Sequence, residues 1–189
     1  METENIIYKK FNNRKKLTNK KKISNFLNFK TLLNKYPLLK SLTYEYSYSF
    51  KKKDLKNLKN YQEFNLIGMG GSALGAEAIY DFLSHKIKKK FFFFSNLQNF
   101  KISKLNKKRV NIIISKSGNT LETVSNLNLI LTKQKTNRNL IITENKKNIL
   151  RVMAYKLKSD VLDHKNYIGG RYSVLSEVGM VPAELMGLN

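Results

Sequence analysis

The sequence predicts a doubly wound α/β domain, with a parallel sheet of about five strands, over residues 61–189, behind a basic, mostly helical N-terminal extension over residues 1–60. Three observations carry this. From about Glu63, short apolar runs alternate with amphipathic stretches, the pattern of a parallel sheet covered on both faces. Turns rich in glycine and serine follow the first and third apolar runs, and a Gly-Gly-Arg turn follows the last. Hydrophobic residues make up 41% of the 189 residues, enough for a core and too many for global disorder.

In the extension, Ile23, Phe26, Leu27, Leu32 and Leu33 form a loose helical stripe ending before Pro37. Tyr44, Tyr46, Tyr48 and Phe50 alternate with polar residues, as on a short strand or a packed extended segment. Phe64–Ile67 then reads as the first strand, Ala73–Leu83 as a helix and Phe91–Phe94 as a second buried strand. A short polar helix is expected over Phe100–Asn106 and a third strand over Val110–Ile114. Thr120–Leu131 reads as a helix with Leu121, Val124, Leu127 and Leu131 on one face, and Asn119 and Glu122 have capping-box spacing at its start. Leu140–Ile142, Ile149–Leu157 and Val161–Leu162 give a fourth strand, a helix and a short fifth strand. Tyr172–Met186 is expected to be helical, with a kink at Pro182. Ligands of such sheets bind beyond the carboxyl ends of the strands, where the three special turns fall.

Composition removes several function classes. With no cysteine there is no disulfide framework and no thiolate metal site. His85 and His164 lie far apart in sequence, so no metal site is expected. No window of ~18 continuous apolar residues suggests a membrane span. The N-terminus lacks a basic stretch followed by an apolar run, so no secretory signal is expected and the cytoplasm is the expected compartment. The net charge of +23 divides almost evenly, +12 over residues 1–60 and +11 over the rest. Charge spread in this way reads as a solvated lysine-rich surface rather than a nucleic-acid site.

The first turn is Gly68-Met-Gly70-Gly71-Ser72. Its glycines let a ligand approach the backbone, and the helix that follows offers free N–H groups to an anion. Two rivals stand beside a sugar or phosphate contact. One is plain helix–strand packing. The other is dinucleotide binding, since Gly68-x-Gly70-x-x-Ala73 fits a loose fingerprint. That motif wants an acidic residue after the next strand, and this chain has Ser95-Asn96 there. The second turn, Ser115-Lys-Ser117-Gly-Asn-Thr120, crowds three hydroxyls at the mouth of a helix. A phosphate dianion needs such convergent donors. Lys116 could add charge or point to solvent, and Asn119 alone would make an ordinary cap. The third turn places Gly169-Gly170 before Arg171, a guanidinium suited either to a transient oxyanion or to a structural ion pair.

At these residues the chain resembles the glucose-6-phosphate isomerase family. Gly68 to Gly75 looks like that family's first sugar-binding loop, Ser115 to Thr123 like its phosphate loop, and Gly169-Gly-Arg171-Tyr-Ser173 with Ser176 and Gly179 like its signature. The first two motifs occur widely in sugar isomerase (SIS) domains; the third is specific. The second differs from the family's usual Thr-Phe-Thr-Thr by carrying Ser117-Gly118-Asn119-Thr120.

The resemblance implies an SIS-type, flavodoxin-like sheet and a phosphorylated sugar as ligand. Gly71, Ser72 and Gly170 would lie against the sugar; Ser115, Ser117 and Thr120 would hold its phosphate with help from the Lys116 backbone; Arg171 would stabilise an enediolate. No metal or organic cofactor is implied, and the full-length protein is expected to be a homodimer. The family's glutamate base, ring-opening histidine and lysine come from sequence well after the Gly-Gly-Arg motif. The chain is therefore expected to be an N-terminal portion, inactive alone. A non-catalytic sugar-phosphate-binding regulator, or an isomerase for another phosphosugar, are the alternatives.

Overall fold

The computed structural model describes residues 19–97, 109–133 and 138–188, so the helix expected over Phe100–Asn106 lies outside the described residues. Helix α1 (Asn19–Lys35) belongs to a unit that ends at Tyr36. Leu27 and Leu32 of its apolar stripe are exposed.

The second unit begins at Pro37. Composition assigns residues 37–60 to the extension, but this segment packs with the sheet: Leu55 and Leu58 are buried in its main core. Of the two alternatives for Tyr44–Phe50, the packed segment holds. Tyr46 and Tyr48 meet edge to face at 5.0 Å, and Tyr48 and Phe50 lie 5.3 Å apart, without strand pairing.

Among the described residues there are five strands: β1 (Glu63–Gly68), β2 (Lys90–Phe94), β3 (Arg109–Ile114), β4 (Arg138–Glu144) and β5 (Asp160–His164). They form one all-parallel sheet in the order β2-β1-β3-β4-β5. The chain winds outward one way from β1 and the other way from β3. This leaves a crevice between their carboxyl ends, the place where doubly wound folds take ligands.

Helices cover both faces. Alternate strand residues Phe64, Leu66, Val110, Ile112, Leu140 and Ile142 pack with the α2 (Leu74–Phe82) and α5 (Glu177–Met186) side. The intervening Ile67, Phe94, Ile113 and Ile141 meet Leu127 and Ile130 of α3 (Leu121–Lys133) and Leu150 and Ala154 of α4 (Ile149–Leu157). Burial of such a side chain contributes about 1.5–3 kcal/mol, so near-continuous apolar strands are what a sheet covered twice requires.

One row breaks the apolar pattern. Asn65, Asn111 and Asn139 stand at paired positions on β1, β3 and β4, all buried. The Asn65 amide donates to Asn111 at 2.8 Å and the Asn111 amide donates to Asn139 at 2.8 Å. A one-residue slip of any of these strands would turn its asparagine to the other face and break the row. At the amino end of the sheet, the Arg109 guanidinium lies 3.9 Å from the Phe92 ring centre and donates to Glu63 at 2.6 Å.

Three sequence expectations change. Tyr172–Met186 is not one helix: Gly170–Tyr172 is a 3-10 turn and α5 starts at Glu177. The break follows from Ser176, whose backbone is extended and whose hydroxyl accepts from Val178 N–H at 3.4 Å. Asn119 does not cap its own helix. Its side-chain oxygen accepts from Ile149 N–H at 2.9 Å, at the start of α4. Leu121 is 70% exposed, because Thr123, Leu127 and Ile130 set the buried face of α3.

Candidate functional site

The first and second turns leave β1 and β3, which are hydrogen-bonded neighbours, so both open onto the switch-point crevice. The third turn follows β5, at the far edge of the sheet, yet reaches back across the carboxyl ends to the first. A Cβ placed on Gly71 would lie 2.1 Å from the Gly170 carbonyl oxygen and 2.9 Å from Arg171 N. Only a glycine fits there. Ser173 fastens the junction, donating from its hydroxyl to Gly170 O at 2.6 Å, with Gly71 O at 3.3 Å. Ser173 belongs to the signature by resemblance, but its role as a fastener is visible only once the two turns meet.

In the second turn the three hydroxyls converge. Ser115 Oγ lies 2.9 Å from Thr120 Oγ1 and 3.5 Å from Ser117 Oγ, with Ser117 and Thr120 3.4 Å apart. Ser115 is buried and also accepts from Gly118 N–H at 3.2 Å, while Ser117 is exposed. Gly118 has φ +68°, and a Cβ on it would strike the Asn148 side chain at 2.2 Å. Asn148 in turn accepts from Arg151 N–H at 2.9 Å, so α4 braces the loop. The first N–H groups of α3, which have no partner within the helix, open beside these hydroxyls.

Lys116 points neither at this cluster nor into free solvent. Its ammonium donates to Asn166 O at 2.8 Å and pairs with Glu144 at 3.4 Å. It thereby ties the second turn to the loop that carries the third. Burial alone would raise the Glu144 carboxyl, but Lys146 and Lys116 outweigh it and hold the group below the usual carboxylate range.

Arg171 is exposed beside the Gly71–Gly170 junction. Among the described residues it makes no hydrogen bond or ion pair, so the structural ion pair left open by the sequence is absent there. An apolar groove of about 720 Å³ runs past it, lined by Gly71, Leu74, Ala78, Phe82, Gly170 and Val174 among others.

Three acid–base groups near Arg171 in sequence are engaged elsewhere. Glu184 pairs with Lys59 at 2.5 Å. Glu177 is fully buried and accepts from Tyr46 OH at 3.0 Å and Ser49 N–H at 2.8 Å. His164 is buried, and burial lowers its imidazole below the ordinary histidine range. Its Nδ1 sits 2.8 Å from Lys165 O, and since a carbonyl only accepts, Nδ1 carries the proton. Among the described residues no group of three or more His, Asp or Glu side chains is placed to hold a metal ion, and no helix is long and apolar enough to cross a membrane.

Comparison with known proteins bears on the fold and the family. The solved structures that superpose include a hypothetical protein from Thermus thermophilus, with TM-score 0.61, 23% identity, and coverage of 88% of this chain and 46% of that one. They also include the tagatose-6-phosphate ketose/aldose isomerase of Escherichia coli, with TM-score 0.54, 18% identity, and coverage of 84% and 42%. At these identities the likeness is one of fold, the SIS-type sheet. In sequence, the glucose-6-phosphate isomerase of Methanocaldococcus jannaschii is 36% identical over 141 residues, 71% of this chain and 35% of that protein. The chain spans about a quarter to a third of the length of the curated relatives it matches. The family model described as phosphoglucose isomerase matches residues 38–189, from the start of the second unit to the end of the chain. That match covers most of the chain, and this chain belongs to the phosphoglucose isomerase family.

Proposed function

We propose that this chain is the phosphosugar-binding portion of a glucose-6-phosphate isomerase, which interconverts glucose 6-phosphate and fructose 6-phosphate through an enediolate. The observation that carries this is the meeting of Gly71 and Gly170, with Arg171 exposed at the junction, on the turn that follows β1 while the hydroxyl cluster follows its neighbour β3.

The roles follow from the chemistry. The phosphate sits on Ser115, Ser117 and Thr120, at the positive end of α3. Lys116 contributes its backbone rather than its ammonium, which is already committed. The sugar lies along Gly71, Ser72 and Gly170. Moving the carbonyl between C1 and C2 takes a proton from one carbon and returns it to the other, with negative charge on oxygen between the two steps. Arg171 stabilises that charge; its guanidinium stays protonated and cannot be the base. The relatives' names, at up to 36% identity, support glucose 6-phosphate as the substrate.

Calorimetry on the purified chain tests this. Glucose 6-phosphate is expected to bind well and glucose weakly or not at all, each hydroxyl bond to the phosphate being worth roughly 1.5–3 kcal/mol. Ser115→Ala should remove most of the difference, because Ser115 both faces the phosphate and holds Gly118 N–H. Equal affinity for the free and the phosphorylated sugar would overturn the assignment.

A further inference from the structure

Glu177 is a costly residue to bury. Its carboxylate is 0% exposed, and among the described residues no cation pairs with it. What compensates is the α5 N-terminus, which favours negative charge, together with the Tyr46 hydroxyl and the Ser49 N–H. Both donors come from a segment far away in sequence.

The same segment makes a second attachment. Ser49 Oγ donates to Asp163 O at 2.6 Å, near the carboxyl end of β5. The loop bearing Gly169, Gly170 and Arg171 begins just after β5 and ends at Glu177. Residues 46–49 therefore fasten both of its ends. Inside the loop the connection continues. Ser176 Oγ donates to Ser173 O at 2.6 Å, Ser176 N–H donates to the same oxygen at 2.9 Å, and Ser173 Oγ donates to Gly170 O. A Cβ on Gly179 would meet Val174 O at 2.0 Å, so the first turn of α5 lies hard against the loop with no slack.

From this geometry we infer that Glu177 is a positioning residue: with Tyr46 and Ser49 it closes a strap across the two ends of the Gly-Gly-Arg loop and so sets where Arg171 stands against the Gly71 turn. Arg171 is exposed and otherwise unheld among the described residues, so its position depends on the backbone that carries it. The tyrosines around the carboxylate bear its imprint. Burial, and then the Glu177 charge, push the Tyr46, Tyr48 and Tyr167 phenols above the ordinary tyrosine range, Tyr46 most of all.

This role rests on Arg171 meeting the ligand as proposed above, so the test separates the two. Binding of 6-phosphogluconate, whose C1 carboxylate stands in for the enediolate oxygens, is measured by calorimetry. The proteins compared are the wild-type chain, Glu177→Gln, Tyr46→Phe, Arg171→Ala and the doubles with Arg171→Ala. Glu177→Gln and Tyr46→Phe should each weaken binding in the Arg171 background, Glu177→Gln by about tenfold. In the Arg171→Ala background each should change it by less than about twofold. The Tyr48 and Tyr167 phenols, raised by burial and then by the Glu177 charge, should titrate lower in Glu177→Gln when followed by alkaline absorbance. Equal losses in both backgrounds, or no loss, would overturn the positioning role. If the wild type binds neither 6-phosphogluconate nor glucose 6-phosphate, the functional reading falls and amide exchange decides the strap. Faster exchange over residues 165–176 in Glu177→Gln, with the sheet unchanged, upholds it, and unchanged exchange there overturns it.

Discussion

Gly71→Ala is expected to abolish measurable binding of glucose 6-phosphate while the sheet remains folded. The added methyl would lie 2.1 Å from Gly170 O and 2.4 Å from Gly170 C. Both are backbone atoms, so no side chain can swing aside, and the two turns must separate by an ångström or more. A misplacement of about 1 Å can cost on the order of 100-fold in a reaction rate, and a sugar held between these two turns is expected to lose its contacts on both. The steric cost to stability is smaller, about 1–3 kcal/mol for forced overpacking. Gly187→Ala is the control. Gly187 caps α5 at φ +88°, so alanine there is strained at about 1–2 kcal/mol but touches neither turn. Calorimetry with thermal unfolding should show both variants destabilised and only Gly71→Ala unable to bind.

The purified chain is expected to bind glucose 6-phosphate yet convert it to fructose 6-phosphate at a negligible rate. A positioned base is worth about 10²–10⁴-fold in proton transfer, and the three first candidates for it, Glu177, Glu184 and His164, are occupied. Glu177 is buried between Tyr46 and Ser49, Glu184 is paired with Lys59, and the His164 ring is buried with Nδ1 turned to a carbonyl. A coupled assay, with Arg171→Ala beside the wild type, checks this. Robust turnover abolished by Arg171→Ala would mean that one of these groups leaves its partner to act as the base.

Much of this is legible in the sequence because it is local. Phe64–Ile67, Val110–Ile114 and Ile149–Leu157 declare themselves by apolar runs and 3.6-residue spacing, and the structure extends the strands by only a residue or so at each end. Gly71, Ser115, Ser117, Thr120 and Gly170 stand out as small or hydroxylated residues where strands give way to helices. What escapes depends on partners distant in the chain. Nothing near Lys116 announces that Asn166 and Glu144 will claim its ammonium. Nothing near Asn119 shows that it will cap α4. The Asn65–Asn111–Asn139 row looks like three isolated lapses in apolar strands until the register aligns them. Glu177 looks like a spare carboxylate on a helix because Tyr46 lies 131 positions away.

We propose that the three turns form one phosphosugar site at the β1–β3 crevice. Amide NMR of the chain, titrated with glucose 6-phosphate, tests it most directly. Saturable shifts are expected at Gly71–Ser72, at Ser117–Leu121 and at Gly170–Arg171, with glucose alone leaving the second group unmoved. Shifts gathered instead on the basic α4 surface, around Lys147, Lys156 and Lys158, with the three turns silent, would contradict it.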